Sequence, residues 1–258
     1  MERRRIGSLE VSVIGLGCNN FGRRLDEAGT RAVVDAALES GVNLLDTADI
    51  YGGTKSEEFL GSVLLGRRER VVLATKFGMP VDDDHKGAHP DYVRRACEAS
   101  LRRLRTDRID LYQLHTPDPT VPIADTLGAL DLLVKEGKVR EIGCSNFNAA
   151  QIEAAHMFAT GARFASVQNE YSIVHREPEA EVLPACERLG LALLPYFPLA
   201  SGLLTGKYRR GAPLPEGTRI TANPGRWITE ARLETVEALV AWAEARGHTL
   251  HELSLIHI

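Results

Sequence analysis

The sequence predicts an α/β fold in which parallel strands close into a barrel, and three observations support this prediction. Short apolar segments alternate with amphipathic segments of helical period along most of the 258 residues. Glycine follows most of the predicted helices and supplies the left-handed residue at which the chain turns back. Polar residues end successive strands at intervals of roughly 30 residues, the repeat of a barrel of eight βα units. An open doubly wound sheet would instead place its ligand at one switch point.

The predicted elements follow in order along the chain. The segment Ile6 to Ile14, with Gly7-Ser8 inside it, predicts an N-terminal β-hairpin. Parallel strands are then predicted at residues 14–17, 42–45, 71–75, 109–114, 139–144, 165–167 and 191–195. Helices are predicted at residues 30–39, 56–65, from Pro90, 123–136, from Asn148, 178–189 and 230–245. These alternating elements indicate repeated βαβ units, and we expect residues 1–258 to form a single domain.

The composition excludes several classes of function. The formal net charge is −4, with 44% hydrophobic and 26% charged residues. This balance argues against a nucleic-acid-binding protein or one that binds an anionic membrane surface. The four cysteines lie far apart without a C-x-x-C motif, which indicates reduced thiols and a cytoplasmic location. No secretory signal or apolar run of the ~18 residues that span a membrane is evident.

Two long loops are predicted at the mouth of the barrel. Arg209 to Thr229 is rich in proline, glycine and arginine, and loops of this length are usually functional or disordered. Pro80 to Pro90 is the second. Its Asp82-Asp83-Asp84-His85 run is loosely similar to a metal cluster, but a solvated loop is the preferred interpretation, so no metal site is predicted.

The C-terminal end departs from the repeat. Thr249-Leu250-His251-Glu252 is a capping box that predicts another helix, yet few residues follow it. The eighth strand and the last helices of a barrel are missing. We therefore expect the sequence to be truncated, and residues 254–258 are not assigned to the native protein.

Four polar residues at strand ends suggest a shared chemistry: Asp46, Tyr51, Lys76 and His115. A tyrosine has a pKa near ~10, and lowering it to ~7–8 requires roughly 3–4 kcal/mol. A cation ~4 Å away supplies ~1 kcal/mol in water but ~4 kcal/mol at an effective dielectric constant of 20. Lys76 can therefore activate Tyr51 only in a partly closed site, where Asp46 would keep the lysine charged. With His115 as a hydrogen-bond donor, this set suits a carbonyl oxygen that becomes an alkoxide.

These residues and their surroundings resemble the aldo-keto reductase family over most of the chain, to about Leu253. The most specific motifs are Asp46-(four residues)-Tyr51-Gly52, Lys76 after Val71-Val72-Leu73-Ala74-Thr75, Asp110-Leu111-Tyr112-Gln113-Leu114-His115, and Gly143-Cys144-Ser145-Asn146-Phe147. The resemblance implies a (β/α)8 TIM barrel that reduces aldehydes or ketones to alcohols, or catalyses the reverse reaction. It implies that Tyr51 is the general acid and that Lys76, Asp46 and His115 assist it.

The resemblance also implies a nicotinamide cofactor, usually NADP(H), with NAD(H) left open. It assigns Ser145, Asn146 and Gln168 to the carboxamide and Tyr196 to stacking on the nicotinamide ring. The segment Phe197 to Lys207 is similar to the family's pyrophosphate loop, and its predicted cofactor-binding residues are Pro198, Leu199, Ser201, Gly202 and Lys207. The family's adenosine-clamping tail is not matched here, so the choice between NADP and NAD rests on the family alone.

Two other functions remain open at this point. One is a nicotinamide-sensing subunit of the same fold with slow turnover. The other is an unrelated barrel enzyme, such as an isomerase or an aldolase, in which Lys76 forms a Schiff base. For the reductase, the expected substrate is a small carbonyl compound or sugar. The sequence identifies neither the substrate nor the oligomeric state.

Overall fold

The N-terminal segment forms the expected hairpin. The structure, a computed structural model, describes residues 1–221 and 224–256. Strand β1 (Arg3–Ile6) pairs antiparallel with β2 (Leu9–Ser12), and Gly7 between them has a φ of 57°. This φ lies in the left-handed region that favours glycine. Ser8 donates its backbone N–H to Glu141 Oε1 at 2.7 Å, which ties the hairpin to a later strand.

A sheet of seven strands follows, in sequence order from β3 to β9. The registers of neighbouring strands from β3 to β8 are all parallel. The strands are Gly15–Gly17, Leu44–Asp46, Val72–Phe77, Ile109–Leu114, Val139–Ser145, Phe164–Glu170 and Ala192–Tyr196. The predicted strands are confirmed, with bounds shifted by a few residues. Within residues 1–221 and 224–256, no further strand of this sheet follows β9.

Helices connect the strands, and the glycines that follow four of the predicted helices have the expected left-handed φ, namely Gly41, Gly66, Gly137 and Gly190. Helices α1 to α8 are Glu27–Glu39, Lys55–Val63, Pro90–Leu104, Ile123–Lys135, Ala149–Phe158, Val182–Leu189, Glu230–Glu244 and Leu250–Ile256. Asn148 and Gln151 form a reciprocal capping box at the start of α5. The predicted helix at 178–189 begins too early, because Glu177–Glu179 forms a separate 3-10 turn before α6.

The chain divides into two compact units. The first comprises Met1–Gln168 with Ala185–Leu193, and the second comprises Asn169–Pro184 with Leu194–Ile258. The second unit has its own apolar core, formed by Ala200, Leu203, Leu204, Tyr208, Ile220, Trp227, Leu233, Val236, Val240 and Leu250. The expectation of a single domain stays a prediction.

A buried carboxylate joins the amino ends of three neighbouring strands in the first unit. Asp110 on β6 is 1% exposed. Its two oxygens accept hydrogen bonds from the Leu73 backbone N–H at 2.9 Å, Arg68 at 2.6 Å and Arg140 at 3.0 Å. Leu73 lies on β5 and Arg140 on β7, so one side chain helps to fix the register of this end of the sheet. We call this group the Asp110 anchor.

The predicted C-terminal capping box is present. Thr249 Oγ1 accepts the Glu252 backbone N–H at 3.1 Å, while Glu252 Oε2 accepts the Thr249 N–H at 2.7 Å. Residues 257–258, part of the segment not assigned to the native protein, lie outside the described residues, and that expectation stays a prediction. Within the described chain, none of the helices has both the length and the apolar character needed to cross a membrane.

Candidate active site

The site is built around the loop that leaves β4. Asp46 is the last residue of β4, and Tyr51 follows it on a tight turn in which the Tyr51 N–H donates to the Ala48 carbonyl at 3.2 Å. The Thr47 N–H donates to the Ala74 carbonyl at 2.9 Å, which ties the loop to β5. Gly52 has a φ of 62°, and a Cβ there would lie 2.5 Å from the Phe21 carbonyl oxygen. Only glycine fits this approach, so the turn that presents Tyr51 depends on it.

Lys76 connects this loop to β5. Its side chain is fully buried, and Nζ donates to Asp46 Oδ2 at 2.6 Å and to the Thr47 carbonyl at 2.9 Å. Nζ also lies 5.2 Å from the centre of the Tyr51 ring. Burial opposes the lysine charge, but Asp46 and Tyr51 outweigh it and raise the pKa of Lys76. Lys76 is therefore a permanent cation beside the phenol.

The phenol itself is a weaker acid than the sequence suggests. Burial raises the pKa of Tyr51 above its ordinary value, and the nearby Lys76 charge offsets this only in part. The expected activation by Lys76 is therefore incomplete in the free protein, because degree of burial cannot be read from residue order. Tyr51 is fully protonated at neutral pH and ready to donate.

Asp46 is held by two amides as well as by the lysine. Its Oδ1 accepts from Gln113 Nε2 at 3.1 Å and from Gln168 Nε2 at 3.2 Å. The role of Gln113 was missed from the sequence. The signal was present, because alternation along β6 places Gln113 and His115 on the same face of the sheet. Three neighbouring groups thus fix the carboxylate that keeps Lys76 charged.

His115 completes the set directly after β6. Its ring meets Tyr51 edge to face, with the two ring centres 5.9 Å apart. Burial, together with the Lys76 charge, lowers the pKa of His115 to about 4. The Nδ1 atom is buried and has no hydrogen-bond partner within the described chain. A neutral imidazole at pH 7 can offer one N–H to a ligand oxygen.

Ser145, Asn146 and Gln168 lie together at the carboxyl ends of β7 and β8. Ser145 Oγ donates to the Gln168 carbonyl at 2.7 Å, and the Asn146 N–H donates to the same oxygen at 3.0 Å. Asn146 Nδ2 donates to the His115 carbonyl at 2.9 Å. Asn146 adopts a φ of 62°, which is uncommon for a residue other than glycine and typical of functional positions. The first unit thus brings all its predicted site residues into one connected network.

The remaining predicted cofactor residues belong to the second unit. Tyr196 ends β9 and packs edge to face on Phe197 at 5.3 Å between ring centres. The segment after it has left-handed φ values at Phe197, Ala200, Ser201, Gly202 and Gly206. The Leu199 carbonyl accepts the N–H groups of residues 202 and 204, at 2.8 Å and 3.2 Å.

Lys207 lies close to the left-handed part of that segment. A Cβ added to Gly202 would lie 3.7 Å from Lys207 Nζ. A strained, glycine-containing turn next to a lysine is a typical setting for a bound phosphate. Pro198, Leu199 and Ser201 belong to the same segment, and their proposed contacts with a cofactor remain predictions.

A second buried cluster lies behind the loop and was missed from the sequence. Glu57 on α2 is fully buried and accepts from Thr75 Oγ1 and from Arg103 Nε, both at 2.6 Å. Asp49, between Asp46 and Tyr51, is 1% exposed. Its charged residue type marks Glu57 as a surface residue, although the helical period places it on the same face of α2 as the buried Leu60 and Gly61.

An open cavity of ≈ 650 Å³ lies beside Tyr51. Its wall consists of Asn19, Gly22, Arg23, Ile50, Tyr51, Gly52 and Gly53.

Among the described residues, no group of histidine, cysteine and acidic side chains could hold a metal ion. The cysteines are free and buried, and burial raises the pKa of Cys97 to about 12, as expected of inert thiols.

Comparison with known proteins shows two similarities. The model of the aldo/keto reductase family matches residues 13–258. Among solved structures, the glycerol dehydrogenase from Gluconobacter oxydans is similar, with 30% sequence identity and a TM-score of 0.82. The match covers 98% of this chain and 81% of that one. The fold predicted from the alternating strands and helices is thereby confirmed.

Proposed function

The chain belongs to the aldo/keto reductase family, and from that premise we propose that it is an NADP(H)-dependent reductase of aldehydes or ketones. Membership supports an oxidoreductase acting on carbonyl compounds. The observation that carries the finer proposal is the contact of Lys76 with both Asp46 and the Tyr51 ring, at 2.6 Å and 5.2 Å. This contact places a charged group, Lys76, beside the proposed proton donor, Tyr51.

The proposed proton step uses Tyr51, Lys76 and His115. A bound nicotinamide would supply the hydride that reduces the carbonyl carbon. Tyr51 then gives its hydroxyl proton to the carbonyl oxygen, which becomes an alcohol, and the phenolate left behind is stabilised by Lys76. His115, neutral at pH 7, donates a hydrogen bond to the same oxygen as negative charge develops there. Solvent returns the proton to Tyr51 after the alcohol leaves.

Each unit, taken by itself, holds groups suited to one part of a nicotinamide dinucleotide. Ser145, Asn146 and Gln168 provide hydroxyl and amide groups suited to a carboxamide. Tyr196 provides an aromatic face for the ring. The segment 197–207, with its left-handed turn and Lys207, suits a pyrophosphate. We assign the preference for NADP(H) over NAD(H) by family resemblance.

One observation favours a second candidate, a nicotinamide-sensing subunit. Burial raises the pKa of Tyr51, and a weaker acid gives slower proton transfer. Such a protein would bind the cofactor tightly and show negligible turnover. The Schiff-base alternative loses support, because a nucleophilic lysine needs a lowered pKa and the pKa of Lys76 is raised.

The test compares cofactor oxidation by the wild-type chain and Tyr51→Phe. The panel should contain aldehydes, ketones and sugars, including members with a carboxylate or phosphate, because Arg23 lines the cavity. Tyr51→Phe should lower kcat by about 10²–10⁴-fold with cofactor affinity unchanged. Tyr171→Phe, which removes a hydroxyl bonded to Glu179, is the matched control and should keep full activity.

Two results would change the assignment. Full activity in Tyr51→Phe would remove this residue as the acid. Tight cofactor binding with no turnover across the whole panel would support the sensing subunit.

A further inference from the structure

Asp49 is a buried carboxyl that the proton step does not use. It lies between Asp46 and Tyr51 and is 1% exposed. Its Oδ1 atom has no hydrogen-bond partner in the part of the chain that the structure describes. Buried polar atoms are normally paired, so an unpaired carboxyl oxygen here needs an explanation.

The groups around Asp49 come from four elements. They are Glu57 on α2, Arg103 and Tyr92 on α3, Lys76 on β5, and Tyr112 on β6. Each cation in this set already has a carboxylate partner. Arg103 donates to Glu57 at 2.6 Å, and Lys76 donates to Asp46 at 2.6 Å. The third carboxyl, Asp49, has neither cation as its own partner.

The charge balance of this cluster therefore favours a neutral Asp49. Ionisation would place an extra negative charge in a buried region beside Glu57, which is strongly unfavourable. In agreement with this geometry, burial and then the Glu57 charge raise the pKa of Asp49 to about 7. The group thus holds its proton in acid and releases it as the pH rises through neutrality.

The backbone of Asp49 connects it to the reacting groups. Its N–H donates to the Lys76 carbonyl at 3.1 Å. The carbonyl of Thr47, in the same loop, accepts from Lys76 Nζ at 2.9 Å. Tyr51 closes the loop through its N–H to Ala48. An ionised Asp49 would either draw Lys76 away from Asp46 or pull the loop outward toward water.

We propose that Asp49 is a positioning residue, whose neutral buried carboxyl keeps the loop 46–51 in the geometry that aligns Tyr51 with Lys76. Loss of its proton disturbs that alignment and slows proton transfer. The inference rests on the proposed reductase activity and adds a residue to it. Asp49 contacts neither the substrate nor the reacting atoms and acts through Lys76 and the loop.

The experiment measures kcat and KM for aldehyde reduction against pH in the wild type and in Asp49→Asn. Asparagine has nearly the same shape and stays neutral at every pH. In the wild type, kcat should fall about tenfold from its acidic plateau to a pH one unit above the pKa of Asp49, because about one molecule in eleven is then neutral. In Asp49→Asn, kcat should stay within about twofold over the same range, while KM changes little in either protein.

The matched control is Asp131→Asn. Asp131 on α4 pairs with Lys135 and accepts the Ala162 N–H, and hydrogen bonding to Lys135 lowers its pKa, so it stays ionised over the range tested. This variant should keep the decline of the wild type. The proposal is overturned if the decline persists unchanged in Asp49→Asn. It is also overturned if folded Asp49→Asn binds cofactor yet is inactive at every pH.

A measurement without turnover separates this inference from the proposed function. NMR titration of the wild-type chain follows the Asp49 carboxyl carbon, the Tyr51 ring and the Lys76 side chain together. A single transition near neutrality shared by all three supports the proposal, even if no substrate is found or Asp49→Asn does not fold. An Asp49 carboxyl that is already ionised in acid, or that titrates without moving the other two, overturns it.

Discussion

The two regions with predicted roles in the reaction are held in different ways. In the first unit, Asp46 and Lys76 are fixed by hydrogen bonds to buried side chains and to the loop backbone. In the second unit, the segment 197–207 is defined by a left-handed backbone and by a lysine near a glycine turn. Proton transfer requires fixed geometry, whereas segments that admit a ligand are drawn from less tightly bonded structure. The comparison predicts that mutations in the first unit impair chemistry and those in the second impair binding.

The largest expected effect comes from removing one lysine from each region. Lys76→Met leaves the Asp46 carboxylate without its cation and Tyr51 without its charged neighbour, so kcat should fall by about 10³-fold. Lys207→Met should leave kcat nearly unchanged and weaken cofactor binding about tenfold, because the proposed contact with a cofactor phosphate would be lost. Steady-state kinetics and cofactor titration check both variants. Equal losses of kcat in the two would contradict the division of roles.

The next test compares acidic residues that pair with arginine in the two units. Glu57→Ala should lower the free energy of unfolding by about 3 kcal/mol or more, because Arg103 and Thr75 lose a fully buried partner. Glu237→Ala breaks the exposed pair with Arg210 at 2.8 Å and should change stability little. Urea unfolding measures the difference. A small effect of Glu57→Ala would show that the buried cluster does not stabilise the first unit.

A smaller effect concerns the pH dependence of stability. The pKa of His115 falls from 6.5 to about 4 on folding. Between these values the unfolded chain binds a proton at His115 that the folded chain does not, so the contribution of His115 to stability is full above pH 6.5 and declines as the pH falls toward 4. The raised pKa of Asp49 contributes with the opposite sign, so the effect of His115 is the difference between the wild type and a His115 variant. The loss should reach about 2 kcal/mol at about pH 5.

His115→Gln should remove that part of the acid sensitivity. His251→Gln, at an exposed position on α8, should leave it in place. The measurement is the free energy of unfolding at about pH 7.5 and about pH 5 for the wild type and both variants. An equal change of stability between the two pH values in the wild type and His115→Gln would show that the histidine ring is not shielded from water.

Much of the first unit follows from local patterns, and the parts that do not follow depend on burial. Alternation and glycine positions predict the strands, and polar residues at strand ends bring Asp46, Lys76 and His115 together. The buried state of Glu57 and Asp49 was not predicted, because a charged residue on a helix or loop is normally exposed. The raised pKa of Tyr51 was missed for the same reason.

The backbone conformation of the second unit is harder to predict from the sequence than that of the first. Its key segment owes its shape to non-glycine residues with positive φ, such as Phe197 and Ser201. No local preference of these residue types predicts that conformation, which persists only when surrounding packing imposes it. The resemblance identified the segment, while its backbone geometry became visible only in the fold. The helix predicted at residues 178–189 is present, but it begins at Val182 because residues 177–179 form a separate 3-10 turn.

The Asp110 anchor affects which parts of this chain can be mutated without loss of the fold. It joins strands at their amino ends, while Asp46, Lys76 and His115 lie at or near the carboxyl ends. In barrels of this kind, residues at the amino ends of the strands serve stability, whereas residues at the carboxyl ends serve catalysis. The segment 19–26 contributes Asn19, Gly22 and Arg23 to the wall of the cavity beside Tyr51, and 80–90 is a predicted mouth loop. A library of variants restricted to these two segments can therefore search for new substrates while strand alignment, held by Asp110, is inherited intact.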